Sequence, residues 1–272
     1  MPENYFSVGI SGMEDYDLVQ TKQTVRNTED GWLPKQESMG MSAWSSTIFE
    51  KLGDGQPHQL LGKGYFMEGE ELLKMDGWNP YSATEDMEHD IRAYKNDMEL
   101  GIIDEYVEDL CPSDWGDWTE QKRRWLAGPW ENFSELELKE KAQVYRYTLN
   151  NQSMTLNNVV GVPAGVNHAF NTVAGTADPS DPLFMGITLF NLANFGWYSY
   201  QTVNATENSV GFELQKEKAK YYATTNPITQ MAYSTAWALP VGLALKDIAK
   251  GETEFNTTPK RSSKETEQED EI

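Results

Sequence analysis

The clearest pattern of apolar and polar positions begins after Ser82. Apolar residues then recur at spacings of three or four, which places their side chains on one stripe of a helix. Ser82 and Glu85 have the spacing of a capping box, and Pro112 cannot continue a helix. The pattern therefore predicts one long helix over about residues 83–110. The residues of the stripe are Met87, Ile91, Tyr94, Met98 and Ile102.

Shorter patterns complete the predicted fold. A second helix is indicated near Asp117, with acidic residues at its start, basic residues towards its end and a stop at Gly128. Residues Tyr5 to Ile10 and Leu18 to Val25 have short β-like character, and the polar face of the latter predicts an arm or an edge strand. Several helices are predicted in the C-terminal half. The predicted fold class is therefore mainly α with a small β component (α+β).

Three long segments contain no charged residue: Tyr147 to Ala177, Pro182 to Thr206 and Tyr221 to Leu245. Each is long enough to cross a bilayer, for which about 20 helical residues suffice. Asn, Gln, Ser and Thr interrupt them, however, and polar groups are costly in hydrocarbon. We therefore expect protein to cover these segments, with lipid as the alternative. The predicted interface residues are Phe184, Phe190, Trp197, Tyr200, Trp237 and Leu243.

The distribution of charge predicts three regions. Residues 1–80 are expected to form a mixed β and loop arm region. Residues 81–250 are expected to form a helical region that carries the uncharged interface segments. Residues 251–272 have few apolar side chains and many charged ones, so they are predicted to form an acidic flexible tail.

Composition narrows the partners and the location. The chain has 43 acidic and 22 basic residues, and its net charge of −21 disfavours direct binding of nucleic acid. The single cysteine, Cys111, excludes an intramolecular disulfide and a cysteine-built zinc site. No apolar signal segment follows Met1, so we expect a virion or intracellular location rather than secretion through a cleaved signal peptide. No cofactor is predicted.

One metal site is a candidate. Glu85, Glu88 and His89 lie within about one helical turn, and Glu85 and His89 at four-residue spacing share a face. A di-iron centre needs a second such half-site, which the sequence lacks. The alternative is an acidic, solvated helix face in which Glu88 pairs with Arg92.

No motif names a reaction. Residues Gly55 to Gly64 lack the spacing of a phosphate-binding loop. Paired carboxylates for glycoside hydrolysis remain open, because their separation is spatial and many acidic pairs are available. The nine tryptophans are interpreted as packing anchors between helices rather than as surfaces that stack on sugars.

These observations favour a non-enzymatic structural subunit of a symmetric homo-oligomeric assembly, most concretely a virion shell, portal or connector protein. Its predicted partners are copies of itself and other subunits. The alternative is a membrane subunit with two or three polar transmembrane helices. A second alternative is a metal-dependent enzyme that uses Glu85, Glu88 and His89.

Overall fold

The computed structural model describes residues 4–45, 60–82, 84–131, 136–138, 141, 155–208 and 215–251. Helices dominate and surround one three-stranded sheet, which confirms the α+β prediction. Apart from residue 251, the predicted acidic tail lies outside the described residues. The helices are α1 (Tyr5–Gly12), α2 (Trp32–Trp44), α3 (Gly69–Lys74), α4 (Glu85–Lys95), α5 (Trp115–Glu131), α6 (Val162–Val173), α7 (Pro182–Asn208), α8 (Gln215–Thr224), α9 (Pro227–Ala236) and α10 (Ala238–Lys250).

The sheet contains β1 (Leu18–Val25), β2 (Tyr65–Met67) and β3 (Leu100–Asp109) in the order β2-β1-β3. Strand β1 runs parallel to β3 and antiparallel to β2. The prediction of a strand at Leu18 to Val25 is confirmed, but its assignment as an arm or edge strand is wrong because it is the central strand. Since β1 and β3 are parallel, their carboxyl ends lie at the same edge of the sheet.

Buried hydrogen bonds explain how so polar a strand occupies the centre. The Gln20 amide donates to the carbonyl oxygens of Lys63 and Gly64 at 3.0 and 3.1 Å. The Gln23 amide donates to Leu61 and Lys63, and the Thr21 hydroxyl donates to Gly64. These bonds compensate for the loss of water around the buried polar side chains. They also fasten residues 60–64 across β1.

The predicted long helix over residues 83–110 is wrong in its C-terminal half. Helix α4 ends at Lys95, and Asp97 then adopts a left-handed conformation with φ of 57°. The chain continues as β3, whose Leu100 and Val107 side chains are buried. Pairing along β1 satisfies one side of the β3 backbone, with a register shift between Thr21 and Lys22, so tertiary structure overrides the local helical spacing.

The N-terminal segment also differs from its prediction. Residues Tyr5–Gly12 form α1 rather than a short strand. Tyr5 and Gly9 are buried on the side of α1 that meets β2, where the rings of Tyr5 and Phe66 are 4.9 Å apart. A side chain at Gly9 would collide with the Phe66 ring. Close packing against a neighbouring element therefore selects the helix.

Helix α5 packs against elements from both the N-terminal and the C-terminal parts of the chain. It packs along α10, and its buried Trp118 lies in a core cluster with Leu33, Val25 and Tyr233. Its position confirms the second predicted helix, although α5 continues through Gly128 to Glu131. Among the described residues, no helix combines the length and the hydropathy needed to cross a membrane.

Candidate functional site

The loop before β2 brings a cation to the carboxyl end of β3. Lys63 forms an ion pair with Asp109, the last residue of that strand. Gly62 and Gly64 on either side have φ values of 71° and 73°, which glycine adopts without the strain of a side chain. The loop is also held by the amides of β1, so Lys63 is presented from a fixed backbone.

Asp86 lies in the first turn of α4, directly against this loop. A methyl group added at Gly62 would stand 3.0 Å from Oδ2 of Asp86, so the absence of a side chain there makes room for the carboxylate. The backbone N–H of Met87 donates to Oδ1 at 2.9 Å. Burial raises the pKa of Asp86 to about 6, while the Met87 N–H and the Arg124 charge oppose that rise.

A second carboxyl lies one turn further along α4. Asp90 is four residues after Asp86, so both side chains lie on the same helix face. Asp90 is buried, and burial together with the charge of Asp86 raises its pKa well above the usual value. The two carboxyls therefore do not both ionise readily.

Arg124 of α5 supplies a cation near Asp86. Helix α5 approaches the start of α4 so closely that a side chain at Gly128 would collide with Thr84. Arg124 lies one turn before Gly128, and its charge lowers the pKa of Asp86. Within the part of the chain that the structure describes, its Nε is buried and has no hydrogen-bond acceptor. A buried guanidinium N–H without an acceptor is suited to binding an anion.

Together these groups form what we call the Asp86 site: Lys63, Asp86, Asp90, Asp109 and Arg124. It combines a carboxylate whose pKa is about 6, the Arg124 charge that acts on this carboxylate, and the Lys63–Asp109 ion pair on the loop that Asp86 lies against. Such a carboxylate is suited to accepting a proton, since a base is most effective when its pKa lies near the working pH. The Arg124 guanidinium is suited to stabilising an anionic group beside this carboxylate.

The predicted metal ligands have other contacts. Glu85 is exposed, and Glu88 pairs with Arg92 at 2.8 Å. His89 is fully buried near the rings of Tyr65 and Trp78, and burial lowers its pKa, an effect that Arg92 reinforces. Across the residues with described positions, no group of three His, Cys, Asp or Glu side chains could hold a metal ion. The metal site gains no support from this arrangement and stays a prediction.

The predicted interface residues lie in different surroundings. Phe190 and Tyr200 are exposed on α7, and Tyr200 contacts Trp197. Phe184 stacks on His168 with ring centroids 4.0 Å apart. Trp237 packs edge-on against the buried Trp118 within the chain, and Leu243 is half-buried on α10. Their role between subunits stays a prediction.

Sequence reasoning did not select Lys63, Asp86 or Arg124. Two local signals pointed towards them: a glycine on each side of Lys63, and the four-residue spacing of Asp86 and Asp90. Neither signal brings these residues to Arg124, which lies on a different helix. Only the approach of α5 to the start of α4 does so.

A family model described as Glycosyl transferase family group 2 matches residues 1–166, which is more than half of the 272 residues. The match contains every residue of the Asp86 site. Comparison with curated proteins and with solved structures gave no significant match.

This match corrects the function predicted from composition. The prediction of a non-enzymatic structural subunit of a virion, with its capsid character, is wrong because a glycosyl transferase model covers these residues. The transmembrane alternative finds no spanning helix among the described residues. An uncharged segment shows only that charge is absent. Such segments occur in enzymes as well as in structural assemblies, so they do not distinguish the two classes of protein. The chain belongs to the glycosyl transferase family group 2.

Proposed function

We propose that this chain transfers a glycosyl group from an activated sugar donor with a phosphate leaving group to a hydroxyl group of an acceptor. Asp86 is the general base. The observation that carries the proposal is the position of Asp86, which lies against the Gly62 loop and close enough to Arg124 for the guanidinium charge to lower its pKa. The family match supports the class of reaction.

The proposed step begins at the acceptor hydroxyl. Asp86 takes its proton while the hydroxyl oxygen forms a bond to the anomeric carbon of the donor. The bond between that carbon and the leaving-group oxygen breaks, and the electron pair leaves with the phosphate. The reaction therefore moves one proton to Asp86 and places additional negative charge on the phosphate.

Asp86 is better suited to this role than the other carboxyls of the site. Burial raises the pKa of Asp90 well above its usual value, and Asp90 is buried whereas Asp86 is half-buried, so an acceptor hydroxyl reaches Asp86 more readily. Asp109 is engaged by the Lys63 ammonium group and by the backbone N–H of Leu110 at 2.7 Å. A carboxylate with a pKa of about 6 is ionised at neutral pH and still accepts a proton effectively.

The Arg124 guanidinium is suited to the leaving group. The buried Arg124 Nε has no acceptor among the described residues, and Lys63 is about two-fifths exposed beside Asp109. A phosphate oxygen would give the guanidinium a charged acceptor and would be stabilised by its positive charge, whereas the Lys63 charge is already paired with Asp109. The net charge of −21 makes such local cations necessary, since the molecule as a whole repels anions.

The test is the substitution Asp86→Asn, which keeps the shape of the side chain and removes the base. We expect kcat for transfer to fall by about 100- to 10,000-fold, the usual contribution of general base catalysis. The measurement uses purified full-length chain with radiolabelled nucleotide-sugar donors and a panel of hydroxyl acceptors. Glu99→Gln is the matched control, because Glu99 is an exposed acid outside the site.

The pH dependence gives a second measurement. Because the base must be ionised, kcat/KM is expected to rise with pH through about 6 and then to level off. This rise is the acid limb of the pH profile, and the charged and titratable groups that interact with Asp86 there are Glu85, Asp90, Arg124 and Tyr65. Transfer by Asp86→Asn at the wild-type rate would contradict the proposed role.

A further inference from the structure

A fully buried lysine lies two residues before Arg124. Lys122 of α5 has no exposed surface, and its Nζ donates to Oε1 of Glu37 at 2.6 Å and to Oε1 of Gln121 at 3.0 Å. Its ammonium group also lies 3.5 Å from the centre of the Trp125 ring. A buried cation is tolerated only with such complete pairing.

Glu37 joins this lysine to the C-terminal half of the chain. Its second oxygen accepts the hydroxyl proton of Tyr233 on α9, and the Tyr233 oxygen accepts the indole N–H of Trp118 at 3.2 Å. Glu37 is itself buried on α2. The chain of contacts therefore connects α2, α5 and α9 through charged and polar groups inside the protein. We call this set the Lys122 cluster: Glu37, Trp118, Gln121, Lys122, Trp125 and Tyr233.

Helix geometry relates the Lys122 cluster to the Asp86 site. Successive residues of a helix are about 100° apart, so Lys122 and Arg124 point to nearly opposite sides of α5. Holding Lys122 against Glu37 on one side fixes the rotation of α5 about its axis. That rotation directs Arg124 to the other side, where Gly128 contacts Thr84 at the start of α4.

We infer that Lys122 is a positioning residue for the proposed reaction: its buried pairing with Glu37 and Tyr233 sets the rotation of α5 and thereby holds Arg124 beside Asp86. The inference rests on the proposed function of the Asp86 site. A buried ion pair is not required for stability as such, because apolar residues of similar volume often stabilise a core equally well. A role in orientation accounts for a charged pair in this position.

The experiment compares Lys122→Met and Tyr233→Phe with wild type in the full chain. We expect kcat/KM to fall by about 10- to 100-fold, the scale of a small misplacement of catalytic groups. The acid limb of the pH profile is expected to move to higher pH, because Arg124 lowers the pKa of Asp86 and would be held less closely. Lys122→Arg, which keeps the cation and a donor to Glu37, is expected to restore both readouts towards wild type.

The control is Asn158→Ala. Asn158 is buried in another polar network, in which its amide donates to the Tyr198 hydroxyl at 3.3 Å. Asn158→Ala should lower the free energy of unfolding and leave the acid limb at the wild-type pH. If the limb shifts in Asn158→Ala as far as it does in Lys122→Met, the inference is overturned. If Lys122→Met does not fold, Tyr233→Phe provides the same test, because it removes only one hydroxyl group from the cluster.

The two proposals fail in different ways. A wild-type profile without an acid limb, or full transfer by Asp86→Asn, overturns the proposed function. If Asp86→Asn removes the acid limb, but Lys122→Met and Tyr233→Phe leave both the limb and kcat/KM unchanged, only the positioning role is overturned.

Discussion

Asp86 occupies a position that lowers the stability of the folded chain at neutral pH. Burial raises its pKa from 3.8 to about 6, so the folded protein holds the proton more tightly than the unfolded chain does. A residue retained at such a cost to folding is typical of a functional site. The same carboxyl is thus unfavourable for folding and suited to proton transfer.

The stability of Asp86→Asn tests this cost directly. A raised folded-state pKa means that stability is lost as pH rises from about 3.8 to about 6, because ionisation is easier in the unfolded chain. We expect the variant to unfold at a higher temperature than wild type at pH 8, with the difference shrinking towards pH 4. Thermal unfolding followed by circular dichroism measures it. A lower midpoint for the variant at pH 8 would contradict the pKa shift on which the base assignment depends.

At the scale of elements, the short loop before β2 depends on glycine in two ways. Gly64 has φ of 73°, and a side chain there would collide with the Thr21 hydroxyl, which itself donates to the Gly64 carbonyl. Gly77 also has φ of 73° but has open space around its missing side chain. The two glycines therefore share a backbone conformation and differ in their surroundings.

We expect Gly64→Ala to destabilise the chain more than Gly77→Ala. Both substitutions carry the cost of a left-handed residue, about 1–2 kcal/mol. Only Gly64→Ala also disturbs the loop that presents Lys63, so it should reduce transfer as well. Urea denaturation and kcat/KM measure the two effects. Equal losses of stability in both variants would show that the loop accommodates a side chain beside Thr21.

Helix α5 is the element that links the Asp86 site to the Lys122 cluster in the protein interior. One side carries Arg124 towards Asp86, while the other carries Lys122 into the interior. Arg123 between them pairs with Glu120 at 3.0 Å and with Asp247 of α10. Three consecutive basic residues thus face three different surroundings. Their sequence alone suggests only a favourable charge at a helix end.

At the scale of the whole molecule, the acidic surface opposes compactness. The net charge of −21 produces repulsion among carboxylates that the folded state brings together. The buried Lys122–Glu37 pair is shielded from solvent ions, whereas the many exposed acids are not. Salt should therefore act mainly on surface repulsion.

We expect the thermal midpoint to rise between 0.1 M and 1 M potassium chloride, as the screening length shortens from about 10 Å to about 3 Å. Differential scanning calorimetry at constant pH measures the change. Chloride is preferred to sulfate because sulfate strengthens apolar burial by exclusion from the surface. A midpoint that falls with added chloride would mean that favourable surface ion pairs outweigh the repulsion.

The exposed apolar residues of α7 remain available for a partner. Leu189 and Phe190 are more than half exposed, in a segment without charged residues. Self-association through this surface, expected from composition, stays a prediction. The Asp86 site is built by other elements, namely α4, α5 and the loop before β2.

The sequence by itself determined the elements whose signals are local. Helical periodicity with an acidic start gave the first half of the 83–110 prediction, α4, and the β-branched alternation at Leu18 to Val25 gave β1. Charge counts gave the acidic surface. These inferences succeed because side-chain spacing and net charge depend on neighbouring residues alone. The capping box predicted at Ser82 and Glu85 is wrong, since Thr84 precedes the helix and makes no side-chain capping hydrogen bond.

Only the tertiary structure decided the rest. Pairing with β1 made a strand of Leu100–Asp109, and buried hydrogen bonds to residues 60–64 made β1 central despite its polar face. The approach of α5 to α4 placed Arg124 near Asp86. Burial and non-local charge then set the pKa of Asp86, because both depend on which distant segments come together in space.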